Sequence, residues 1–253
     1  MKISSVILSK NEEGNIARAI SSVNFSDEVI VIDDFSADST VKVATDSGAK
    51  VFQRKLSEDF SSQRNYGMKL AQGEWVLFID ADEKASNRLK NEIIQAINDP
   101  LRKETGYFIK RKDFFLGKNL KYGEVGGAKF IRLAKKNSGV WKRKVHEVWD
   151  VRGKAGTFVN PIFHYPHPTL GEFVRDINFT SSLHAEENLS EGKKSNIFKI
   201  LLWPKLKFLK NYVIKRGFLD GNHGFALALL MSLHSFLSWS KQWLLQKNLQ
   251  KKH

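Results

Sequence analysis

The stretch WVLFIDADEKAS, residues 75–86, decides the fold more than any other part of the chain. Its first five residues form a continuous apolar run of the kind found in strands that are buried on both faces. Asp80 and Asp82 follow this run directly. A solvated turn after a strand and a metal site at the mouth of a cleft would both explain such a pair of acids, and the stretch alone leaves both open.

Three earlier apolar segments have the same character: ISSVIL (3–8), EVIVID (28–33) and AKVFQRK (49–55). Segments with helical features follow, among them 61–73 and 87–99. This alternation predicts an α/β fold with a parallel sheet covered on both faces. Ligands of such sheets bind beyond the carboxyl ends of the strands. The acidic clusters that come just after strands are therefore expected on one edge: Glu12 and Glu13, Asp33 and Asp34, Asp80 and Asp82.

Beyond residue 105 the pattern changes to strand-like segments separated by glycine and charged residues. These predict a mixed or antiparallel extension of the sheet, followed by a polar helix from Leu170. The division expected from these patterns is a catalytic domain over 1–192, with halves 1–104 and 105–192, and a helical tail over 193–253.

The charge of the chain is concentrated in that tail. The 253 residues carry a net charge of +14, and residues 193–253 contain twelve basic side chains against the single acid Asp220. An apolar content of 42% excludes wholesale disorder. The absence of cysteine excludes disulfides and thiolate metal sites and suits a reducing compartment. The N-terminus has too short an apolar stretch for a signal peptide, so we expect a protein that faces the cytosol.

Basic residues interleave with aromatic and aliphatic ones in NIFKILLWPKLKFLKNYVIKRGF, residues 196–218. Such a pattern favours an interfacial helix on an anionic leaflet over a membrane span. A helical hairpin packed on the protein or on a partner subunit is the alternative. The predicted location is the inner face of the cytoplasmic membrane, as a peripheral protein.

The D-x-D spacing of Asp80 and Asp82 suits a hard divalent cation. Mg²⁺ and Mn²⁺ prefer carboxylate oxygens, water and substrate phosphates, and need only one or two carboxylates from the protein. Residues two apart in an extended chain point to the same side, so both acids can address one ion. Asp33 and Asp34 have the alternative role of a turn and helix cap. Arg64 is either a surface charge or a bidentate partner of a phosphate.

Taken together, these stretches resemble the glycosyltransferase family 2 enzymes with the nucleotide-sugar-binding GT-A fold. VILSKNEEGNIARAI resembles that family's first strand and loop, VIVIDDFSADST its second acidic element, and SSQRNYGMKLAQGEWVLFIDADE its block ending in D-A-D. The order and spacing match across residues 3–83. The resemblance implies a nucleotide-sugar pocket lined by Ser9, Asn11, Glu12, Asp33, Asp34, Arg64 and Asp80. It also implies an Mg²⁺ or Mn²⁺ site formed by Asp82 with Asp80 and His164.

The second half resembles small bacterial enzymes that add a sugar to the lipopolysaccharide inner core, through RKVHEVWDVRGKAGTFVNPIFHYPH (143–167) and RGFLDGNHGFALALLMSLHSF (216–236). The resemblance implies an inverting transfer with Glu147 as the base and with His146, Trp141 and Trp149 on the acceptor side. Other interpretations stay open from the residues alone. Glu147 could instead pair with Lys142 or Arg143, and the tryptophans and both histidines could pack in the core.

The function expected from this resemblance is transfer of a hexose, taken to be glucose, from a UDP-sugar to a lipid-linked acceptor such as the inner core. Another cell-envelope glycan or a polyprenyl-phosphate lipid is an alternative acceptor. A nucleotidyltransferase would need a Gly-rich basic loop after the first strand, where SKNEEGN is acidic. A non-catalytic protein that binds nucleic acid or membrane explains the tail but not the acidic edge, so we expect no nucleic-acid partner.

Overall fold

A computed structural model of the chain describes residues 1–144, 147–166 and 169–250. The chain forms two compact units. The first contains residues 1–111 and 128–164, and the second contains residues 112–127 and the chain from residue 165 onward. The predicted boundary after residue 192 lies inside the second unit, so as a division of function it stays a prediction.

The first unit is built on a mixed sheet. The strands of the described residues are β1 (Ile3–Ser9), β2 (Glu28–Asp33), β3 (Lys50–Gln53), β4 (Trp75–Asp80), β5 (Glu83–Ala85), β6 (Glu104–Phe115), β7 (Lys118–Asn119), β8 (Lys129–Lys135), β9 (Gly139–Lys142), β10 (Val148–Val151), β11 (Lys154–Thr157) and β12 (Ile162–His164). Strands β3, β2, β1 and β4 are parallel neighbours in that order. Strand β8 pairs antiparallel with β4 and with β6, while β9 and β10 form a separate antiparallel pair. The predicted parallel half and mixed extension are both confirmed.

Helices cover both faces of the parallel strands: α1 (Ile16–Ser22), α2 (Thr40–Asp46), α3 (Phe60–Leu70) and α4 (Asn87–Asn98). Successive strand residues point to opposite faces. On β4, Leu77 and Ile79 join the core that contains buried residues of α1, α2 and α4. Val76 and Phe78 join the opposite core, with residues of α3. A run that is apolar at every position is therefore required here, because neither face of the strand meets water.

The strand register brings the predicted acids together. Asp33 lies opposite Ser9 in the pairing of β2 with β1, and Asp80 lies opposite Leu8 in the pairing of β4 with β1. The carboxyl ends of three parallel strands thus meet at one edge of the sheet, as the sequence predicted.

Strand β5 directly follows Asp82 and was not expected, since the segment Glu-Lys-Ala carries no strand signal. It pairs antiparallel with β12, and this pairing sets His164 opposite Glu83. The pairing links the D-x-D segment to a part of the chain about eighty residues away.

Close packing of α3 on the sheet depends on Gly67. A Cβ atom at this position would lie 2.5 Å from Cγ1 of Val6 and 3.3 Å from Cγ1 of Ile32. Both neighbours are stiff β-branched side chains. We expect Gly67→Ala to lower the free energy of unfolding by about 1–2 kcal/mol through overpacking, as measured by urea denaturation. Gly14→Ala, where no atom lies within 4 Å of the added carbon, is the matched control and should not lower it.

The second unit is mainly helical, with α5 (Leu170–Ser190), α6 (Ile197–Leu209) and α7 (Gly221–Gln250). A π-helical turn (Lys210–Ile214) and a 3-10 turn (Gly217–Asp220) join α6 to α7. The segment 112–127 packs in this unit through Glu124, which bonds Nζ of Lys207 at 3.0 Å and Nδ2 of Asn211 at 2.6 Å. In the parts of the chain that the structure describes, no helix has both the length and the apolar content needed to cross a bilayer.

Candidate active site

The carboxyl end of β2 carries a buried carboxylate that organises two loops. Asp33 is fully buried, and its Oδ1 accepts a hydrogen bond from Oγ of Ser9 at 3.2 Å. Its Oδ2 accepts from the backbone N–H of Ser36 at 2.9 Å and from Nε2 of Gln53 at 3.3 Å. Asp33 therefore fixes the start of the loop after β2, in agreement with the turn role that its sequence left open.

The loop after β1 is tied to the loop after β2. Asn11 has a positive φ of 54°, a conformation that Asn tolerates better than most residues. Its N–H donates to Oγ of Ser36 at 2.8 Å, and its Oδ1 accepts from the N–H of Ala37 at 2.8 Å. The N–H of Glu12 donates to Oγ1 of Thr40 at 2.7 Å. Ser9, Asn11, Glu12 and Asp33 therefore lie together at the carboxyl ends of β1 and β2.

Asp34 has partners of its own beside this loop pair. Its Oδ1 accepts from the N–H of Leu56 at 2.9 Å, and its Oδ2 forms an ion pair with Nζ of Lys10 at 2.7 Å. Lys10 is largely exposed, so this ion pair contributes little to stability.

Arg64 connects three elements of the site. It extends from α3, and its side chain is only 4% exposed. Its Nη2 lies 2.8 Å from Oδ1 of Asp80, and its Nε donates to Oε1 of Glu147 at 2.8 Å. The guanidinium also lies over the ring of Trp141, 4.8 Å from the ring centroid, where a cation–π interaction favours it. Its Nη1 is buried and has no hydrogen-bond partner among the described residues. Arg64 is therefore a buried cation, and not the surface charge that the sequence left open.

Asp80 is held by two arginines, one on each carboxylate oxygen. Nη2 of Arg132 donates to its Oδ2 at 2.9 Å, opposite the contact from Arg64. Burial alone would raise the pKa of Asp80, but the charges of Arg132 and Arg64 outweigh it and hold that pKa far below the ordinary 3.8. Asp80 is thus ionised throughout the neutral range, with both oxygens engaged. Any further ligand of Asp80 would have to share an oxygen with Arg64 or Arg132.

Glu83 and Arg132 complete the cluster, and the sequence did not single out either. Glu83 is fully buried; its Oε1 accepts from Nη2 of Arg132 and its Oε2 from the N–H of Asp80, both at 2.9 Å. Burial raises the pKa of Glu83 above its ordinary 4.5, with Asp80 adding to the rise and Arg132 opposing it. One feature of the sequence could have identified Arg132 as a residue of the site: it is a lone arginine inside the otherwise apolar run FIRLA, residues 130–134.

Asp82 lies against His164, the residue with which the family resemblance groups it. Oδ2 of Asp82 is 3.1 Å from Nε2 of His164, and the two side chains are 21% and 15% exposed. Burial would raise the pKa of Asp82, but the interaction with His164 outweighs it and holds that pKa below 3.8. The pair comes together because β5 pairs with β12.

This pair fits a divalent ion that takes part of its coordination from a substrate. A carboxylate and an imidazole are both metal ligands. In the described ranges 1–144, 147–166 and 169–250, no set of three or more Asp, Glu or His side chains is placed to enclose an ion. Mg²⁺ and Mn²⁺ are commonly held in this way, by one or two protein carboxylates with phosphate and water oxygens.

The predicted acceptor-side residues have different outcomes. Trp141 and Trp149 are buried, stacked on each other with centroids 5.1 Å apart, and both meet the ring of Phe78 edge-on. The two tryptophans therefore pack in the core, which is the alternative to an acceptor-side role that the sequence left open. His146 lies outside the described residues. Glu147 is 16% exposed and bonds Arg64, whereas Lys142, one of the partners considered from sequence, bonds Asp150.

The sequence of the chain is similar to those of known glycosyltransferases. Residues 4–145 match the model of glycosyl transferase family 2. An uncharacterized glycosyltransferase of Rickettsia typhi is 33% identical over 253 residues, covering 95% of this chain and 86% of the relative. LpsC of Rhizobium meliloti, a lipopolysaccharide core biosynthesis glycosyltransferase, is 23% identical over 248 residues, covering 95% and 92%. The chain belongs to glycosyl transferase family 2.

A solved structure of similar fold is glucosyl-3-phosphoglycerate synthase from Mycobacterium tuberculosis, in complex with Mn²⁺, UDP and glucosyl-3-phosphoglycerate. It superposes with a TM-score of 0.50 at 16% identity, covering 77% of this chain and 81% of that one. This likeness and the family match confirm the predicted GT-A fold.

Proposed function

We propose that the protein is a metal-dependent, inverting glycosyltransferase that moves a hexose from a UDP-sugar to a lipid-linked acceptor. The observation that carries the proposal is the arrangement at the strand edge. Asp82, which lies two residues after Asp80, contacts His164. Asp80 forms ion pairs with two arginines, and one of them, Arg64, also forms an ion pair with Glu147. We take glucose as the sugar and the lipopolysaccharide inner core as the acceptor, and the similarity to LpsC supports that acceptor class.

On the donor side, the loops after β1 and β2 would hold the nucleoside, with Asn11, Glu12 and Asp33 as its contacts. Arg64 would bind a diphosphate oxygen through Nη1, the donor that has no partner among the described residues. Asp82 and His164 would hold Mg²⁺ or Mn²⁺. When bound, such an ion neutralises the charge that develops on the leaving diphosphate.

On the acceptor side, Glu147 would remove the proton from the attacking hydroxyl. Inversion requires this hydroxyl to approach the anomeric carbon from the face opposite the diphosphate, with the base on the same side as the hydroxyl. Glu147 is partly exposed, so an acceptor can reach it. Its bond to Arg64 connects the base to the donor-side cluster.

A titration of UDP into the wild-type protein, with and without Mn²⁺, tests the donor assignment. The proposal predicts that UDP binds, that a chelator weakens the binding, and that GDP binds less tightly. A protein that binds neither nucleotide in the presence of Mn²⁺ or Mg²⁺ would refute it.

The second part of the proposal concerns the surface of α6 and the turns after it, here called the α6 surface. One side of this segment is buried, at Ile200, Pro204 and Asn211. The other side exposes apolar residues: Ile197, Phe198, Leu201, Leu206, Leu209, Val213 and Ile214. Exposed cations stand among them: Lys205, Lys210, Lys215 and Arg216. Apolar side chains mixed with cations match an anionic bilayer surface, and we propose that this surface holds the enzyme at the inner face of the cytoplasmic membrane.

Vesicle co-sedimentation tests the membrane assignment. Because each basic residue near such a surface contributes on the order of 1 kcal/mol, changing Lys205, Lys210 and Lys215 to Glu should weaken binding to anionic vesicles by about 100-fold or more. Changing Lys42, Lys69 and Lys84, exposed lysines of the first unit, to Glu alters the net charge equally and is the control. Equal losses in both triple variants, or tighter binding to duplex DNA than to anionic vesicles at the same salt, would contradict the proposal.

A further inference from the structure

We infer that Arg132, acting with Glu83, is a positioning residue that fixes the D-x-D segment for donor binding. The inference deepens the proposed function and rests on it. It assigns a role to two charged side chains outside the predicted donor and acceptor contacts.

A β-bulge in β8 directs the side chain of Arg132 towards Asp80 and Glu83. In the pairing of β6 with β8, Tyr107 lies opposite Leu133, but the next residue, Phe108, lies opposite Ile131. Arg132 is therefore the extra residue of β8 at the irregularity. Bulges redirect side chains and are frequent beside active sites, and this one turns a buried cation towards the end of β4.

The bridge made by Arg132 closes a ring of contacts. Its Nη2 donates at 2.9 Å to Oδ2 of Asp80 and at 2.9 Å to Oε1 of Glu83. The second oxygen of Glu83 accepts from the backbone N–H of Asp80, also at 2.9 Å. The side chain and the backbone of Asp80 are thus both held by this one pair. Arg132 and Glu83 are 7% and 0% exposed, so water does not compete for the bond between these two side chains.

Arg132 and Glu83 also influence the positions of Asp82 and His164, the residues proposed to hold the metal. Glu83 follows Asp82 directly and lies opposite His164 in the pairing of β5 with β12. A shift of Glu83 would therefore move the strand that brings Asp82 and His164 to within 3.1 Å of each other. Arg132 is inferred to act through Asp80 and Glu83, without touching the donor itself.

Two substitutions separate positioning from simple stabilisation. Arg132→Gln removes the charge and leaves the buried Glu83 and the partly exposed Asp80 without their common partner. Arg132→Lys keeps the charge but loses the planar guanidinium. Lys135→Gln, on the same strand, removes a lysine whose ion pair with Glu74 is solvent-exposed, and is the control.

The experiment measures UDP affinity at several Mn²⁺ concentrations by calorimetry, and the melting temperature separately. For the folded Arg132→Gln protein we expect about 10- to 100-fold weaker UDP binding and a higher Mn²⁺ requirement, the size of effect seen when residues that orient metal ligands are removed. Arg132→Lys should recover part of the loss, and Lys135→Gln should match the wild type. If Arg132→Gln does not fold, Arg132→Lys still provides the comparison, with an expected weakening of about three- to tenfold.

Wild-type UDP affinity and Mn²⁺ requirement in the folded variants, whatever their melting temperatures, would overturn the inference. If wild-type protein binds no UDP, the proposed function fails, and the inference that rests on it fails too. The wild-type titration and the variant comparison thus distinguish the two failures.

Discussion

Asp82→Asn is expected to reduce sugar transfer by about 1,000-fold or more, because a neutral amide replaces the carboxylate that would bind the metal. A thousandfold loss corresponds to about 4 kcal/mol of transition-state stabilisation, within the range that a bound metal supplies. The side chain keeps its size, so the edge of the sheet should remain intact. Release of UDP in the presence of acceptor, measured over a range of Mn²⁺ concentrations, is the readout.

The effect should be specific to this carboxylate. Asp46→Asn removes an exposed acid at the end of α2 and should leave the rate unchanged. Asp82→Asn should also weaken the dependence of UDP binding on Mn²⁺ while changing the melting temperature little, since Asp82 is partly exposed. Full turnover by the Asp82→Asn protein would remove Asp82 from the metal site.

Glu147→Gln is expected to lower kcat by about 100- to 10,000-fold, the usual contribution of a general base. The amide oxygen of Gln can still accept the hydrogen bond that Arg64 now donates to Oε1 at 2.8 Å. Arg64 should therefore keep its place beside Asp80, and UDP affinity should stay near that of the wild type. Loss of kcat without loss of UDP binding distinguishes a base from a residue that only holds Arg64.

Asp150→Asn is the matched control for this substitution. Asp150 is a nearby acid on β10, but it is 55% exposed and bonds Lys142 at 2.5 Å. It should transfer sugar at the wild-type rate. A Glu147→Gln protein with unchanged kcat would show that another group accepts the proton, and the ion pair with Arg64 would then be the whole role of Glu147.

The parallel half of the fold was predictable because its signals are local. The run EVIVID became β2 over the same residues, Glu28–Asp33, and WVLFID became β4. Since parallel strands end at the same edge, the position of Asp33 and Asp80 at one edge of the sheet followed from the order of the elements. The prediction of Asp82 near His164 came from family resemblance, and the pairing of β5 with β12 gives its physical reason.

The charged cluster behind this edge was not predictable, because it joins residues far apart in the chain. Arg132 and Glu83 are 49 residues apart, and Arg64 and Glu147 are 83 apart. Their contacts depend on an antiparallel register and a bulge, for which the sequence gives no local signal. The packing of residues 112–127 with the C-terminal helices depends in the same way on a few long-range bonds, such as those of Glu124.

The most direct test of the account is analysis of the product formed from UDP-glucose, Mn²⁺ and a lipid-linked inner-core acceptor. The account predicts acceptor-dependent release of UDP and a product whose anomeric configuration is inverted relative to the donor, as read by nuclear magnetic resonance. A product that retains the donor configuration, or no UDP release from any UDP-sugar with this acceptor, would contradict it.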